Sequence, residues 1–207
     1  MIKQVLLALL LIAYLGPIAL AQQVIPVYMQ QINRFQEELN AEYADTATSP
    51  LPKAQIAGFK GLPFFPIDSA YRLTATFVRT PGQLAFYMPT TTGNRKMYEK
   101  YGEVHFILHG KKQMLTVYQS HTLRETAAYK DYLFLPFTDL TNGHESYGSG
   151  RFMDLRIPEG DTITLDFNKA YNPYCAYSEG YNCPIPPREN RLKVAVRAGV
   201  KAPAQAH

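Results

Sequence analysis

The first regular element that the hydrophobic pattern predicts is an amphipathic helix over residues 27–43. Apolar side chains recur there at spacings of four, three and four residues, with polar residues between them. This period places the apolar side chains on one face of an α-helix. Residues 44–52 then interrupt the pattern with small, β-branched and proline residues, which indicates a linker. The apolar face consists of Tyr28, Ile32, Phe35 and Leu39.

Beyond the linker the apolar period shortens from about 3.6 to 2, which is typical of strands with one buried face. The glycine and lysines at 110–112 predict a turn, so the strands on either side of it form a hairpin. Many short strands after a single helix predict a mainly β (α+β) domain, either an antiparallel β-sandwich or a partly closed β-barrel with one N-terminal amphipathic helix. Periodicity alone does not distinguish the sandwich from the barrel. The predicted strands are 71–77, 84–88, 104–108, 114–118, 132–137, 151–155, 162–167 and 192–196.

The N-terminal residues predict export. Residues 1–21 combine an early cation at Lys3, an apolar run, Gly16-Pro17 and the small-residue pattern Ala19-Leu20-Ala21, which together indicate a secretory signal peptide cleaved before Gln22. We therefore expect a periplasmic or secreted protein without stable membrane insertion after cleavage. The predicted organisation is a signal peptide at 1–21, a helix and linker at 22–52, a β-rich domain at 53–201 and a tail at 202–207.

Composition narrows the class of partner. The formal net charge is +4, and the 21 lysines and arginines are scattered along the chain. Because no basic stripe is visible that could follow a phosphate backbone, nucleic acid is not an expected partner. The oligomeric state cannot be derived from composition.

One cluster of polar residues follows a predicted strand. Alternation over residues 162–168 places Asp166 and Asn168 on the same face, and Asn172 follows in an irregular segment. These side chains either line a polar pocket or bond the backbone of their own turn. Further on, Glu189 and Asn190 follow a proline-rich stretch that would suit either a binding wall or a structural crossing.

A glycine-rich loop at 142–151 contains a second set of candidates. Arg151 is suited to clamp a carboxylate or phosphate, and the loop also carries Glu145. The alternative is a structural ion pair between Arg151 and one of Glu145, Asp154 or Asp166. The candidate general bases for catalysis are Glu145, Asp166 and Glu189.

Cys175 and Cys183 are the only cysteines, and an exported chain would meet an oxidising compartment. We therefore expect a disulfide between them. The alternatives are a reactive thiol and a zinc site completed by His144, which would supply only three of four ligands. The sequence gives no metal or cofactor motif.

Two long segments resemble a known family. The first covers residues 49–77. The second covers residues 134–201 and contains the run from Asp166 to Pro173, DFNKAYNP, followed by Cys175, Cys183-Pro184 and Glu189-Asn190. Both resemble the bacterial and archaeal domain-of-unknown-function family 1684, which has no assigned reaction.

The sequence thus favours an exported small-ligand-binding β-domain with a polar pocket for an anionic or polyhydroxylated molecule. The alternatives are a hydrolase, with a carboxylate base and Arg151 as anion clamp, and a non-catalytic structural protein of the envelope. The ligand-binding candidates are Arg151, Asp166, Asn168, Asn172, Glu189 and Asn190.

Overall fold

The computed structural model describes residues 26–203. The predicted signal peptide and the last four residues of the predicted tail therefore lie outside the described residues. The first element is helix α1, Val27–Ala44, which confirms the predicted amphipathic helix. Its buried positions include Ile32 and Tyr43, and a short helix α2, Lys53–Ile56, follows the linker.

The strands form one antiparallel sheet. Their order is β6-β5-β4-β3-β1-β7, and the short strand β2 pairs with β3 beside this path. The sheet curls into a half-barrel, so the fold is the partly closed barrel of the two predicted alternatives, with one long helix at the N-terminus. The strands are β1 Arg72–Arg79, β2 Phe86–Met88, β3 Lys96–Leu108, β4 Lys111–Ser120, β5 Tyr132–Phe137, β6 Arg151–Arg156 and β7 Thr162–Asp166.

The predicted hairpin is β3 and β4. Its turn is formed by His109 and Gly110, both with positive φ (50° and 73°), and Leu108 pairs directly with Lys111. A two-residue turn with this backbone matches the twist of the flanking strands. His109 therefore lies in the turn, whereas Lys111 and Lys112, which were predicted to belong to the turn, begin β4.

The core fills the concave side of the curled sheet. Alternate residues of every strand except β2 point into it, as the period of two predicts. On the opposite face of the sheet lies a second buried cluster, which is mostly aromatic and includes Tyr98, Tyr118, Phe134 and Phe152. Fully or nearly buried core residues from successive strands are Ala75, Val104, Leu115, Leu135, Met153 and Leu165.

The prediction of a strand at residues 192–196 was wrong. Leu192, Val194 and Val196 are buried in the core, but their backbone pairs with no strand in the described range 26–203. Leu192 N–H donates to Thr138 (2.8 Å) and Leu140 N–H donates to Val194 (3.1 Å). The alternation thus indicates which side chains are buried. A β-strand also requires a neighbouring strand with which its backbone forms hydrogen bonds. The predicted strand at 84–88 is similarly reduced to β2, because Leu84 is exposed.

The half-barrel has a seam, defined here as the gap between the two end strands β6 and β7. One antiparallel bridge crosses it, in which Phe152 and Tyr171 exchange backbone hydrogen bonds of 2.8 and 3.0 Å. Tyr171 follows a 3₁₀ turn, Phe167–Lys169, that continues directly from β7. Polar residues of β6 and β7 therefore meet at this seam although they come from opposite ends of the sheet. The other 3₁₀ turns are Ser69–Tyr71, Leu123–Glu125, Ala127–Tyr129, Tyr174–Ala176 and Arg188–Asn190.

Candidate functional site

Arg151 lies inside the protein. Its guanidinium donates to Asp139 Oδ2 at 2.8 Å, and neither side chain has exposed surface. The same guanidinium also donates to the carbonyls of Val196 and Ala198. Burial lowers the pKa of Arg151, and Asp139 opposes that effect. Of the predicted partners Glu145, Asp154 and Asp166, none is used, because Asp139 reaches the guanidinium from the loop after β5.

Both carboxylate oxygens of Asp139 accept hydrogen bonds. Its Oδ1 accepts hydrogen bonds from the backbone and side chain of Thr141 (2.8 and 2.7 Å) and from Val196 N–H (3.1 Å). The pair thus holds the irregular C-terminal segment against the sheet without a strand ladder. This arrangement is a structural ion pair, and it leaves the guanidinium no exposed surface on which to receive an anion.

Three predicted asparagines also serve the backbone. Asn190 spans two strands through hydrogen bonds to both backbone groups of Thr116 and to the Pro136 carbonyl, all at 2.7–2.8 Å. Asn172 donates to the Lys201 carbonyl. Asn168 bonds both backbone groups of Asp68 (3.0 and 2.8 Å). Each of the three is buried, and the backbone groups that they bond belong to distant segments rather than to their own turn.

The two predicted glutamates lie apart from the seam. Glu145 pairs with Arg197 at 2.8 Å on an exposed surface, and Arg197 lowers the pKa of its carboxyl. Glu189 pairs with Lys100 at 2.8 Å and accepts the hydroxyl of Tyr118 at 3.0 Å. Burial acts to raise the pKa of Glu189, but Lys100 and Tyr118 outweigh it and hold that pKa below its usual range.

Asp166 is the one predicted candidate that lines a cavity at the seam. This seam cavity has a volume of about 290 Å³. Its wall contains carboxylates from both end strands and two cations from neighbouring elements. The lining residues are Gln31, Arg72, Met153, Asp154, Leu155, Thr164, Asp166 and Lys169.

Tyrosine hydroxyls hold one oxygen of Asp154. The hydroxyls of Tyr132 and Tyr171 both donate to Oδ1 at 2.7 Å. Burial, followed by the charge of Asp154, raises the pKa of both tyrosines, so both remain protonated donors. No hydrogen bond within residues 26–203 ends on Oδ2 of this exposed aspartate, which leaves that oxygen as an acceptor for a ligand.

Asp166 is fixed in a similar way from the other side of the seam. Its Oδ1 accepts the hydroxyl of Tyr28 at 3.1 Å and both nitrogens of Asn168 at 3.1 and 3.0 Å. Burial, and then Asp166, raises the pKa of Tyr28. Helix α1, which supplies Tyr28, thus fixes the orientation of the carboxylate in the cavity wall.

Each of the two cations of the seam cavity lies over an aromatic ring. Arg72 is the cross-strand partner of Asp166, yet its guanidinium lies 5.1 Å from the Tyr28 ring centroid. The Lys169 amine lies 5.9 Å from the centroid of the Phe35 ring. Within residues 26–203 neither cation forms an ion pair, so both are available to a ligand.

Sequence reasoning missed Asp154 and both cations as members of this site. Alternation in β6 does place Asp154 opposite the core residues Met153 and Leu155. It cannot show that β6 and β7 face each other, because that proximity results from the curl of the whole sheet.

The two cysteines are paired with each other. The sulfur atoms of Cys175 and Cys183 lie at disulfide-bonding distance, with Cα atoms 6.4 Å apart, so the predicted disulfide forms. The bond leaves no thiol for a zinc site with His144, and that alternative is wrong in this state. Among residues 26–203, no three histidine, cysteine, aspartate or glutamate side chains gather as a metal site. None of the described helices combines the length and the hydrophobicity that a membrane span requires.

Comparison with known proteins identifies the family. A protein-family model with the description "Protein of unknown function (DUF1684)" matches residues 57–201. An uncharacterised protein of Haloarcula marismortui, solved by solution NMR, is 33% identical with a TM-score of 0.65, over 84% of this chain and 94% of that one. No curated protein matches. Because the model spans more than half of the sequence, the chain belongs to the family of proteins of unknown function DUF1684.

Proposed function

We propose that this protein is an exported binding module that holds a small polyhydroxylated molecule in the seam cavity. The observation that supports this most is the set of four charged side chains around 290 Å³, each oriented by protein contacts but without a described ion pair. Preformed cavities with a few oriented polar groups are typical of small-molecule sites.

The balance of charges favours a neutral ligand over a simple anion. Asp154 and Asp166 would repel an anion, while Arg72 and Lys169 would repel a cation. A molecule with several hydroxyls can donate to the carboxylates and accept from the cations at the same time. Arg151, the sequence-based reason for expecting an anion, is enclosed and already paired.

Export remains part of the proposal. It is supported by the oxidised cysteine pair, since disulfides persist mainly in oxidising compartments. The signal-like composition of residues 1–21 supports it as well.

The hydrolase alternative lacks a shared site. Glu145 and Glu189 lie away from Asp166 and have their own cationic partners, and Arg151 is not accessible as an anion clamp. An enzyme would therefore have to use Asp154 and Asp166 together. Turnover of a bound sugar would establish that function instead.

The test begins with native mass spectrometry of the protein purified from its own host, which would reveal a retained adduct. Neutral monosaccharides, zwitterionic amino acids and inorganic phosphate are then titrated into labelled protein and followed by NMR. We expect monosaccharides to shift the amides of Asp154, Thr164 and Lys169. Binding of phosphate alone, or shifts elsewhere, would contradict the proposal.

Matched variants sharpen this test. Asp154→Asn and Lys169→Gln each remove a charged partner, so we expect binding to weaken about tenfold. Asp161→Asn is the control, because Asp161 is exposed and lies outside the seam cavity. If the control weakens binding as much as the two variants, the cavity is not the site.

A further inference from the structure

A second, larger cavity lies on another part of the surface, between helix α1, the α2 region and the end of the described chain. Its volume is about 600 Å³, which is within the usual range for small-molecule sites. We call it the α2 groove. Most of its wall is apolar and consists of Leu51, Phe59, Leu62, Pro63, Tyr177 and Pro203.

Packing and hydrogen bonds from helix α1 support the wall of the α2 groove. Tyr43, which is fully buried, stacks on Phe59 and packs edge-on against Tyr177, with ring centroids 6.2 and 5.0 Å apart. The side chain of Asn40 accepts the Leu62 N–H at 2.8 Å. These contacts fix the groove before any ligand enters, which reduces the cost of ordering it on binding.

One part of the groove is suited to an anion. Lys60 lines it and forms no ion pair within residues 26–203. The backbone N–H groups of Lys60 and Gly61 donate no hydrogen bond to any described group. Gly61 has φ of 118°, a conformation that side-chain-bearing residues rarely adopt.

The remaining polar lining is neutral. It consists of Asn40 and Gln55, and among the residues that the structure describes no aspartate or glutamate lines the groove. The charge of the wall is therefore positive and localised at Lys60, beside an apolar surface. This distribution complements a molecule with an apolar body and one negative head group.

We propose that the α2 groove binds an amphipathic carboxylate, with its chain against Phe59, Leu62 and Pro63 and its carboxylate at Lys60 and Gly61. The carboxylate would accept hydrogen bonds from the ammonium and from the two unpaired backbone amides. This site is separate from the seam cavity, since the two have no described lining residue in common.

Decanoate is the probe. It is titrated, below its micelle-forming concentration, into ¹⁵N-labelled protein in the form that its host produces. We expect saturable shifts at the amides of Lys60, Gly61 and Leu62. Acetate, which lacks the apolar body, and decyltrimethylammonium, which carries the opposite charge, are each expected to bind at least about tenfold more weakly.

Two variants test the two parts of the site. Gly58 lines the groove, and a Cβ there would meet only the Gln55 carbonyl at 3.8 Å, so Gly58→Leu occupies groove space without a backbone clash. We expect it to weaken decanoate binding at least about tenfold. Lys60→Gln removes the charge and is expected to weaken binding about fivefold.

Each variant has a control outside the groove. Gly160→Leu introduces the same side chain where nothing lies within 4 Å, and Lys53→Gln removes a neighbouring exposed charge that does not line the groove. Both are expected to bind decanoate as the unaltered protein does. The proposal is overturned if decanoate gives no saturable shifts, if the shifts lie elsewhere, if decyltrimethylammonium binds equally well, or if the controls weaken binding as much as the variants.

Discussion

The surroundings of Arg151 and the seam cavity contain similar polar side chains but use them differently. Around Arg151, the charge of Asp139 and the carbonyls of the C-terminal segment occupy both terminal nitrogens of the guanidinium, and nothing is exposed. At the seam, Asp154 and Asp166 each have one oxygen held by tyrosine hydroxyls, while Oδ2 receives no described hydrogen bond. The first arrangement stabilises the fold, and the second leaves capacity for binding.

This difference shows why residue type alone does not identify a site. A buried arginine must have its hydrogen bonds and charge satisfied inside the protein, because desolvation without partners is costly. A partly exposed carboxylate can leave one oxygen to solvent or to a ligand. The following substitutions test this contrast, from the largest expected effect to the smallest.

Replacement of Arg151 is expected to have the largest effect. Arg151→Met leaves the buried Asp139 charge unpaired and the carbonyls of Val196 and Ala198 without their donor, so the free energy of unfolding should fall by about 3–5 kcal/mol. Urea unfolding followed by circular dichroism measures the change. Arg156→Met is the control, because its pair with Asp131 is exposed and should contribute less than about 1 kcal/mol. Similar losses of unfolding free energy in the two variants would contradict the expected difference between the buried and the exposed ion pair.

Asn190→Ala is expected to rank second. It removes three buried hydrogen bonds and leaves the backbone groups of Thr116 and Pro136 without partners, which should cost about 2–3 kcal/mol. Asn182→Ala, whose side chain contacts Thr92 at the surface, serves as control in the same urea measurement. A loss below about 1 kcal/mol at Asn190 would mean that water replaces these hydrogen bonds.

Asp154→Asn is expected to change stability little. The amide oxygen can still accept the hydroxyls of Tyr132 and Tyr171, and the site is exposed, so the free energy of unfolding should change by less than about 1 kcal/mol. Thermal unfolding checks this expectation. A loss comparable to that of Arg151→Met would show that the seam carboxylate is structural, which would contradict the proposed binding role.

The smallest effect is expected for Glu189 and depends on pH. Its pKa is lowered in the folded protein, so its contribution to stability is present above the unfolded-state pKa and is lost as pH falls through the folded-state pKa. Because its side chain is 35% exposed, that contribution should stay below about 1 kcal/mol. Urea unfolding of Glu189→Gln at neutral and acidic pH should show a difference from the unaltered protein only at neutral pH. A difference that persists in acid would exclude an ionic origin.

Much of the fold could be predicted from local patterns. The period of the apolar residues predicts α1, and the turn residues between β3 and β4 predict the hairpin. The same alternation failed at residues 192–196, where the side chains are buried but the backbone is bonded by the irregular loop after β5 and by the side chains of Asp139 and Arg151. Burial produces the alternating pattern whether or not a neighbouring strand is present.

The candidate site was predicted only in part. Asp166 was identified because it ends a strand beside polar residues, and it does line the seam cavity. Asp154, Arg72 and Lys169 were not identified, since no local pattern connects β6 with β7. The partner of Arg151 was missed for the same reason.

The sequence by itself determined the helix, most of the strands, the pairing of the two cysteines and the family. These features depend on side-chain period, on short-range turn geometry or on long similar segments, all of which can be read along the chain. Only the tertiary structure decided between sandwich and half-barrel, and only it assigned Arg151 to Asp139 and brought Asp154 to Asp166. These contacts depend on how strongly the whole sheet curls, and that curl is set by the packing of all strands together.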